Sequence, residues 1–300
     1  MSDDPTTGLS EQDPAKGQCR IALAIEYDGA SFSGWQRQTA AGVAGDSAVA
    51  TVQQEVEKAL SKVAAHSVSV TCAGRTDAGV HATSQVVHFD CKQNRGEKAW
   101  TRGVNSLLPR SIRVLWAREV GEGFNARFTA QARRYYYVIY TRKQASAILD
   151  GRVTHVPFEL DVEAMNSAAQ ALVGEQDFTS FRAAGCQSST PNRNVHKVVV
   201  SAHRDFVLVD IEANAFLQHM VRNIVGSLLV IGRGLKPVTW IRDLLELRNR
   251  CEAAMTAAPH GLYLVQVIYP AAYGLPAGAK APPFVALDSP SSVSSCTLQE

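Results

Sequence analysis

Short runs rich in β-branched and aromatic residues alternate along this chain with stretches whose apolar positions recur at helical spacing. Positions 20–27 (RIALAIEY), 68–72, 85–90 (QVVHFD) and 112–120 (IRVLWAREV) have the strand character. Between the first two, Val52, Val56, Leu60 and Val63 share one face of a helix, with Thr51 and Gln54 placed as a capping box at its start. A second helix is expected near 98–107, carrying Trp100 and Val104. The order through the first part is β-α-β-β-α-β.

The pattern then recurs. A strand over 131–141 (QARRYYYVIYT) precedes a helix over 161–173 begun by Asp161 and stopped by Gly174, and strands follow at 196–203 and 206–213. An apolar helix over 215–231, a shorter one over 238–249 and a strand over 262–269 complete the series. Two split β-α-β arrangements in one chain predict an α+β fold of two ferredoxin-like halves, residues 20–125 and 126–270, with antiparallel sheets joined side by side and a functional cleft at the seam. Residues 1–19 and 271–300 lack hydrophobic period and read as disordered tails.

Composition narrows the class. An apolar fraction of 46% supports real cores in a chain of 300 residues. Six cysteines without a CxxC pair, no signal-like leader and no long uncharged apolar run point to reduced thiols in a cytoplasmic, non-membrane protein. The net charge of +2 hides an asymmetry: from Arg102 to Lys143, nine cations stand against two acids, nearly all of the nine being arginine and interleaved with aromatics. That combination suits phosphate contact and base stacking, and favours a nucleic-acid partner. Walker-type phosphate loops, GxSxG elbows and metal-ligand spacings are missing from the sequence.

One stretch concentrates the chemistry. In "CAGRTDAGVHATSQVVHFD" (72–90), Gly74 and Gly79 bracket Arg75, Thr76 and Asp77 ahead of a strand. Flanking glycines permit a sharp turn that presents those side chains at the mouth of a sheet. A carboxylate beside an arginine has a partner for its charged form, and an ionised carboxylate can attack or stabilise an electrophilic sugar carbon. A capped turn with a surface ion pair is the plain alternative. His81 and His88 do not have metal spacing and read as structural.

The block "AGRTDAGVHATSQVVHF" resembles the active-site motif of the tRNA pseudouridine synthase A family. The likeness extends over "AIEYDGASFSGWQRQ", "FNARFTAQARRYYYVIY", "DFTSFRAAGCQSSTPNRNV", "NAFLQHMVRNIVG" and "GLYLVQV", roughly residues 20 to 270. The resemblance implies a homodimeric enzyme, free of cofactor and metal, that isomerises uridine to pseudouridine at positions 38, 39 and 40 of the tRNA anticodon stem-loop. It makes Asp77 the catalytic carboxylate, Arg75 its partner and the holder of the extruded nucleotide, and Tyr135 the ring that stacks on uracil and can take the C5 proton. Leu264 would line the apolar side of the pocket. Arg127, Arg133, Arg134, Arg182 and Arg222 are candidates for phosphate contact, although Arg222, on the apolar helix, could instead be buried beside Asp77. "GWQRQ" resembles a loop that reaches towards the tRNA, followed here by a longer small-residue run, Ala40 to Ala50. Two alternatives stay open: a pseudouridine synthase for another RNA site, and a non-catalytic RNA-binding protein on the same platform.

Overall fold

The computed structural model describes residues 19–37 and 50–286. The expected tails over 1–18 and 287–300 and the small-residue run at 40–49 lie outside the described residues. The fold is α+β, built on one large, mostly antiparallel sheet of ten strands.

The first part contributes β1 (Cys19–Tyr27), α1 (Val52–Ala64), β2 (Thr71–Cys72), β3 (His81–Cys91) and β4 (Ile112–Val120). Helix α1 forms where the capping box placed it. The Thr51 side chain accepts the Gln54 N–H, while Val52, Val56, Ala59 and Leu60 turn inward. The helix expected near 98–107 forms over 97–105, with a π-turn at Ala99–Gly103 that buries Trp100. The strand expected at 68–72 pairs only through Thr71 and Cys72, although Val68 and Val70 remain buried.

The second part adds β5 (Ala132–Tyr140), β6 (Thr154–His155), α2 (Val162–Ala169), β7 (Gly174–Asp177), β8 (Asn192–His203), β9 (Phe206–Ala213), α3 (Met220–Gly232), α4 (Trp240–Leu247) and β10 (Leu262–Ile268). Asp161 caps α2 by accepting the Ala164 N–H at 2.9 Å. Helix α3 starts five residues later than the apolar pattern suggested. His219, at its N-cap, sits in the left-handed region at φ 61°, so the preceding residues leave the helical path.

The continuous strand order is β4-β1-β3-β10-β5-β9-β8-β7, with β2 also on β3 and β6 on β5. One edge of β3 therefore serves two neighbours. Thr71 and Cys72 pair antiparallel with His88 and Val87, whereas Tyr263 and Leu264 pair parallel with His81 and Ala82. Between those contacts the two neighbours diverge, and the fully buried Gln85 fills the fork: its Nε2 donates to the Gly74 carbonyl at 2.5 Å, and its Oε1 accepts the Gly74 N–H at 3.4 Å. A side-chain amide thus replaces ladder bonds that a divergent strand cannot make, as the near-complete pairing of buried polar groups requires. The loop carrying Asp77 leaves the sheet at this fork.

One apolar cluster runs beneath the helices along a whole face of the sheet, from Leu23 and Leu60 to Ile211 and Ile224. The opposite face has two smaller clusters, one around Trp116 and Phe124, the other around Val138 and Tyr263. Residues 271–286, expected to belong to a tail, pack on this face instead. Tyr273 meets Phe124, Phe284 meets Phe206 and Tyr263, and the Lys280 N–H donates to the Val265 carbonyl at 3.0 Å. Aromatic contacts from Tyr273 and Phe284 give the segment enough apolar area to order it despite its high content of Pro, Gly and Ala.

Candidate active site

The loop over 73–80 is fixed from several sides before any functional group is considered. The Trp35 N–H donates to the Thr76 carbonyl at 3.0 Å, the Gly79 N–H to the Phe32 carbonyl at 3.3 Å, and the Thr76 hydroxyl bonds the Tyr27 hydroxyl at 2.8 Å. Gly79 adopts φ +77°, where a side chain is strained and a Cβ would also stand 2.9 Å from Pro259. Gly74, in the same loop, lies beside the Tyr135 hydroxyl, which would stand in ordinary contact, 3.5 Å, from a Cβ placed there.

Asp77, about a third exposed, faces the start of α3. Arg222 Nη1 donates to its Oδ2 at 3.3 Å, and His219 Nε2 lies 3.4 Å from the same oxygen. Arg222 is itself oriented by a second bond, Nε to the Ala257 carbonyl at 2.8 Å, so its guanidinium bridges the loop before β10 and the loop over 73–80. His219 combines this approach to the carboxylate with a left-handed backbone at the N-cap of α3. The sequence expectation that Arg75 pairs with Asp77 is not met: Arg75 is exposed and makes no hydrogen bond or ion pair with it among the described residues. Two residues apart in a turn, the side chains diverge, and the true counter-charge comes from α3. Of the two readings for Arg222, burial beside Asp77 is the one realised; it is not a free phosphate ligand.

Tyr135 comes from β5 and is nearly buried. Its ring meets Phe216 edge-on at 5.0 Å, its register partner on β10 is Leu264, and its hydroxyl makes no hydrogen bond among the described residues. Burial raises the phenol above its ordinary value, an effect that neighbouring Arg133 opposes and Asp77 reinforces. At neutral pH the group is therefore a protonated phenol. Leu264 is fully buried, a core residue backing Tyr135 from the adjacent strand.

The other candidate arginines divide by partner. Arg133 donates from Nε and Nη2 to the Ala73 carbonyl, from Nη1 to Ala130 and Asn214, and from Nη2 to Arg127. All its donors are thereby occupied, and burial lowers its pKa from the ordinary value; it ties the loop together and is not available to a phosphate. Arg134 projects to the opposite face, as strand alternation requires, and grips Asp210 with two bonds of 2.7 and 2.6 Å. Arg182 donates to the Cys186 and Ser188 carbonyls at 2.7 Å, which shapes the 182–190 loop. Arg127 is exposed, its guanidinium 5.3 Å from the centre of the Phe128 ring. His88 is structural: it accepts the Ala126 N–H at 3.1 Å, and burial lowers its pKa. His81 accepts the Gly29 N–H at 3.0 Å and stacks on Tyr263, with Nε2 buried and unpartnered among the described residues.

Sequence pattern gave no sign of His219 or Phe216 at the site. Both lie in the "NAFLQHMVRNIVG" block, where continuous apolarity suggests an unbroken helix and hides the irregular run that delivers them.

Comparison with known proteins identifies the family. A family model described as tRNA pseudouridine synthase matches residues 23–129 and 168–270. A tRNA pseudouridine synthase A of Shewanella amazonensis is 58% identical over 266 residues, covering 89% of this chain and 99% of the relative. A protein of the same name from Shewanella baltica is 57% identical over the same length and coverage.

Proposed function

Since the chain belongs to the tRNA pseudouridine synthase family, we propose that Asp77 is the carboxylate on which its reaction turns. The enzyme is an isomerase that converts uridine to pseudouridine in tRNA. That conversion breaks the bond from C1′ to N1, turns the uracil and joins C5 to C1′, so it needs an anion near the sugar, a retained base and an acceptor for the C5 proton.

The observation that carries the reading is the convergence of Arg222 and His219 on the Asp77 carboxylate, with the Tyr135 hydroxyl beside Gly74 of the same loop at the fork of β3. Arg222 fixes the position of the carboxylate where charge develops on the ribose. Tyr135 forms the base-binding wall, supported from behind by Leu264. Because its phenol is protonated, it does not act as a phenolate. It receives the C5 proton only while passing its own onward, with Asp77 the anion nearby to take it; N1, freed from the sugar, gains a proton in the product, so the base ends with as many protons as it began and the carboxylate is regenerated. Arg75, solvent-facing beside this pair, is the cation free to hold an extruded nucleotide, whose unstacking costs a few kcal/mol.

Several finer readings rest on the same footing. The orders β4-β1-β3-β2 and β10-β5-β9-β8 each match the ferredoxin-like arrangement, which supports two halves, 20–125 and 126–270, joined through β3 and β10. The target is the anticodon stem-loop at positions 38 to 40, the enzyme acts as a homodimer, and its compartment is the cytoplasm. No helix among the described residues is long and apolar enough to cross a membrane. The test is pseudouridine formation on unmodified tRNA transcripts by the wild type and by Asp77→Asn, mapped by carbodiimide-dependent primer extension.

A further inference from the structure

Phe128 is 77% exposed, although Phe124 in the same loop is wholly buried. The backbone beneath that ring is firmly held. Asn125 Oδ1 accepts the N–H groups of Arg127 and Phe128 at 3.0 and 3.1 Å, and the Thr129 hydroxyl closes the turn on the Asn125 carbonyl at 2.6 Å. Within the turn, Ala126 is pinned by His88 through its N–H at 3.1 Å and by the Tyr269 hydroxyl through its carbonyl at 2.6 Å. A segment held this tightly presents its ring to solvent without being loose.

The turn is also coupled to the active site. Arg133 Nη2 donates both to the Arg127 carbonyl at 2.5 Å and to the Ala73 carbonyl at 2.9 Å, so one nitrogen joins the Phe128 turn to the loop that carries Asp77. Over the exposed ring lies the Arg127 guanidinium, 5.3 Å from its centre. A rigid aromatic face with a cation beside it accepts an unpaired base on the ring and its phosphate on the guanidinium.

We propose that Phe128 is a stacking platform for an unpaired base of the RNA next to the uridine held at Asp77, with Arg127 meeting the adjoining phosphate. This rests on the assignment of the pseudouridine-forming site to Asp77. The occupant is a nucleobase because the ring is joined by an arginine and its turn is tied to the loop of the catalytic carboxylate. An apolar protein partner would leave Arg127 without an anion.

The experiment measures tRNA affinity by fluorescence anisotropy over a range of salt, together with steady-state pseudouridine formation, for the wild type, Phe128→Ala, Phe128→Trp and Arg127→Ala. Phe128→Ala is expected to weaken tRNA binding about tenfold, as loss of one stacked base does, without changing the salt slope. Phe128→Trp restores affinity, and Arg127→Ala lowers the slope by about one ion. Thermal melts of Phe128→Ala should overlay the wild type, because the ring is exposed. Binding by Phe128→Ala within twofold of the wild type overturns the proposal. So does a change in oligomeric state on sedimentation, which would make the ring a contact between copies of the chain. If wild-type protein forms no pseudouridine, the assignment of Asp77 falls, while the binding comparison still decides the role of Phe128.

Discussion

Arg222 and Asp77, 145 residues apart in sequence, meet at 3.3 Å, and the guanidinium that holds the carboxylate is itself anchored to the Ala257 carbonyl. The Asp77 carboxylate is thus paired from the far half of the chain, by a helix whose N-cap is the left-handed His219.

Removing that anchor should cost catalysis more than binding. Arg222→Ala is expected to lower kcat by about 10²-fold, the scale of a misplaced reacting group, and to destabilise the fold by about 1–3 kcal/mol because a half-buried carbonyl loses its donor. Arg222→Lys should recover part of both. Single-turnover rates and urea melts on the same preparations check this; an unchanged kcat in Arg222→Ala would remove the residue from the mechanism.

The Tyr135 hydroxyl is separable from its ring. Tyr135→Phe keeps the edge-on contact with Phe216 and the register against Leu264, so KM should barely move, while kcat falls by about 10²-fold or more if the hydroxyl relays the C5 proton. Near-wild-type kcat in Tyr135→Phe would reduce Tyr135 to a stacking role.

Salt separates structural arginines from RNA-facing ones. The affinity for tRNA should fall steeply with ionic strength as exposed cations displace counterions. Arg133→Ala should leave that slope intact yet destabilise the protein by at least about 2 kcal/mol, since several carbonyls lose a charged donor. A reduced slope with unchanged stability would reverse this assignment.

Low pH should expose a second ion pair. Asp90 lies below its ordinary value of 3.8, chiefly through its hydrogen bond from Arg20. A carboxyl depressed in the folded state stabilises the fold above its unfolded value, and that contribution is lost as pH falls. The difference in stability between wild type and Asp90→Asn should therefore be present at neutral pH and fade on acidification below 3.8. Urea denaturation at a series of pH values measures it, and a gap that stays constant would contradict the pairing.

The periodicity of the chain made most of the sheet legible, while the glycine-flanked loop by itself left Asp77 between a reactive carboxylate and a capped turn, and the family resemblance singled it out. What misled was proximity in sequence. Arg75 stands two residues from Asp77, but a turn splays neighbouring side chains, so the counter-charge had to come from elsewhere. Strand alternation places Arg133 and Arg134 on opposite faces. It could not show that carbonyls of the Asp77 loop and the carboxylate of Asp210 already occupy them. Likewise the apolar run 215–231 looked like one helix, because nothing in its composition marks His219 as the residue that takes positive φ. Residues 271–286 lacked any period since aromatics on irregular backbone, not a regular face, attach them to the sheet.

The most direct measurement is pseudouridine yield on an unmodified tRNA transcript with Asp77→Asn, read beside tRNA binding by the same protein. The carboxylate account predicts retained binding with no pseudouridine, because the fold and the arginines persist while the anion is gone. Pseudouridine formed by Asp77→Asn at a rate comparable to the wild type would contradict it.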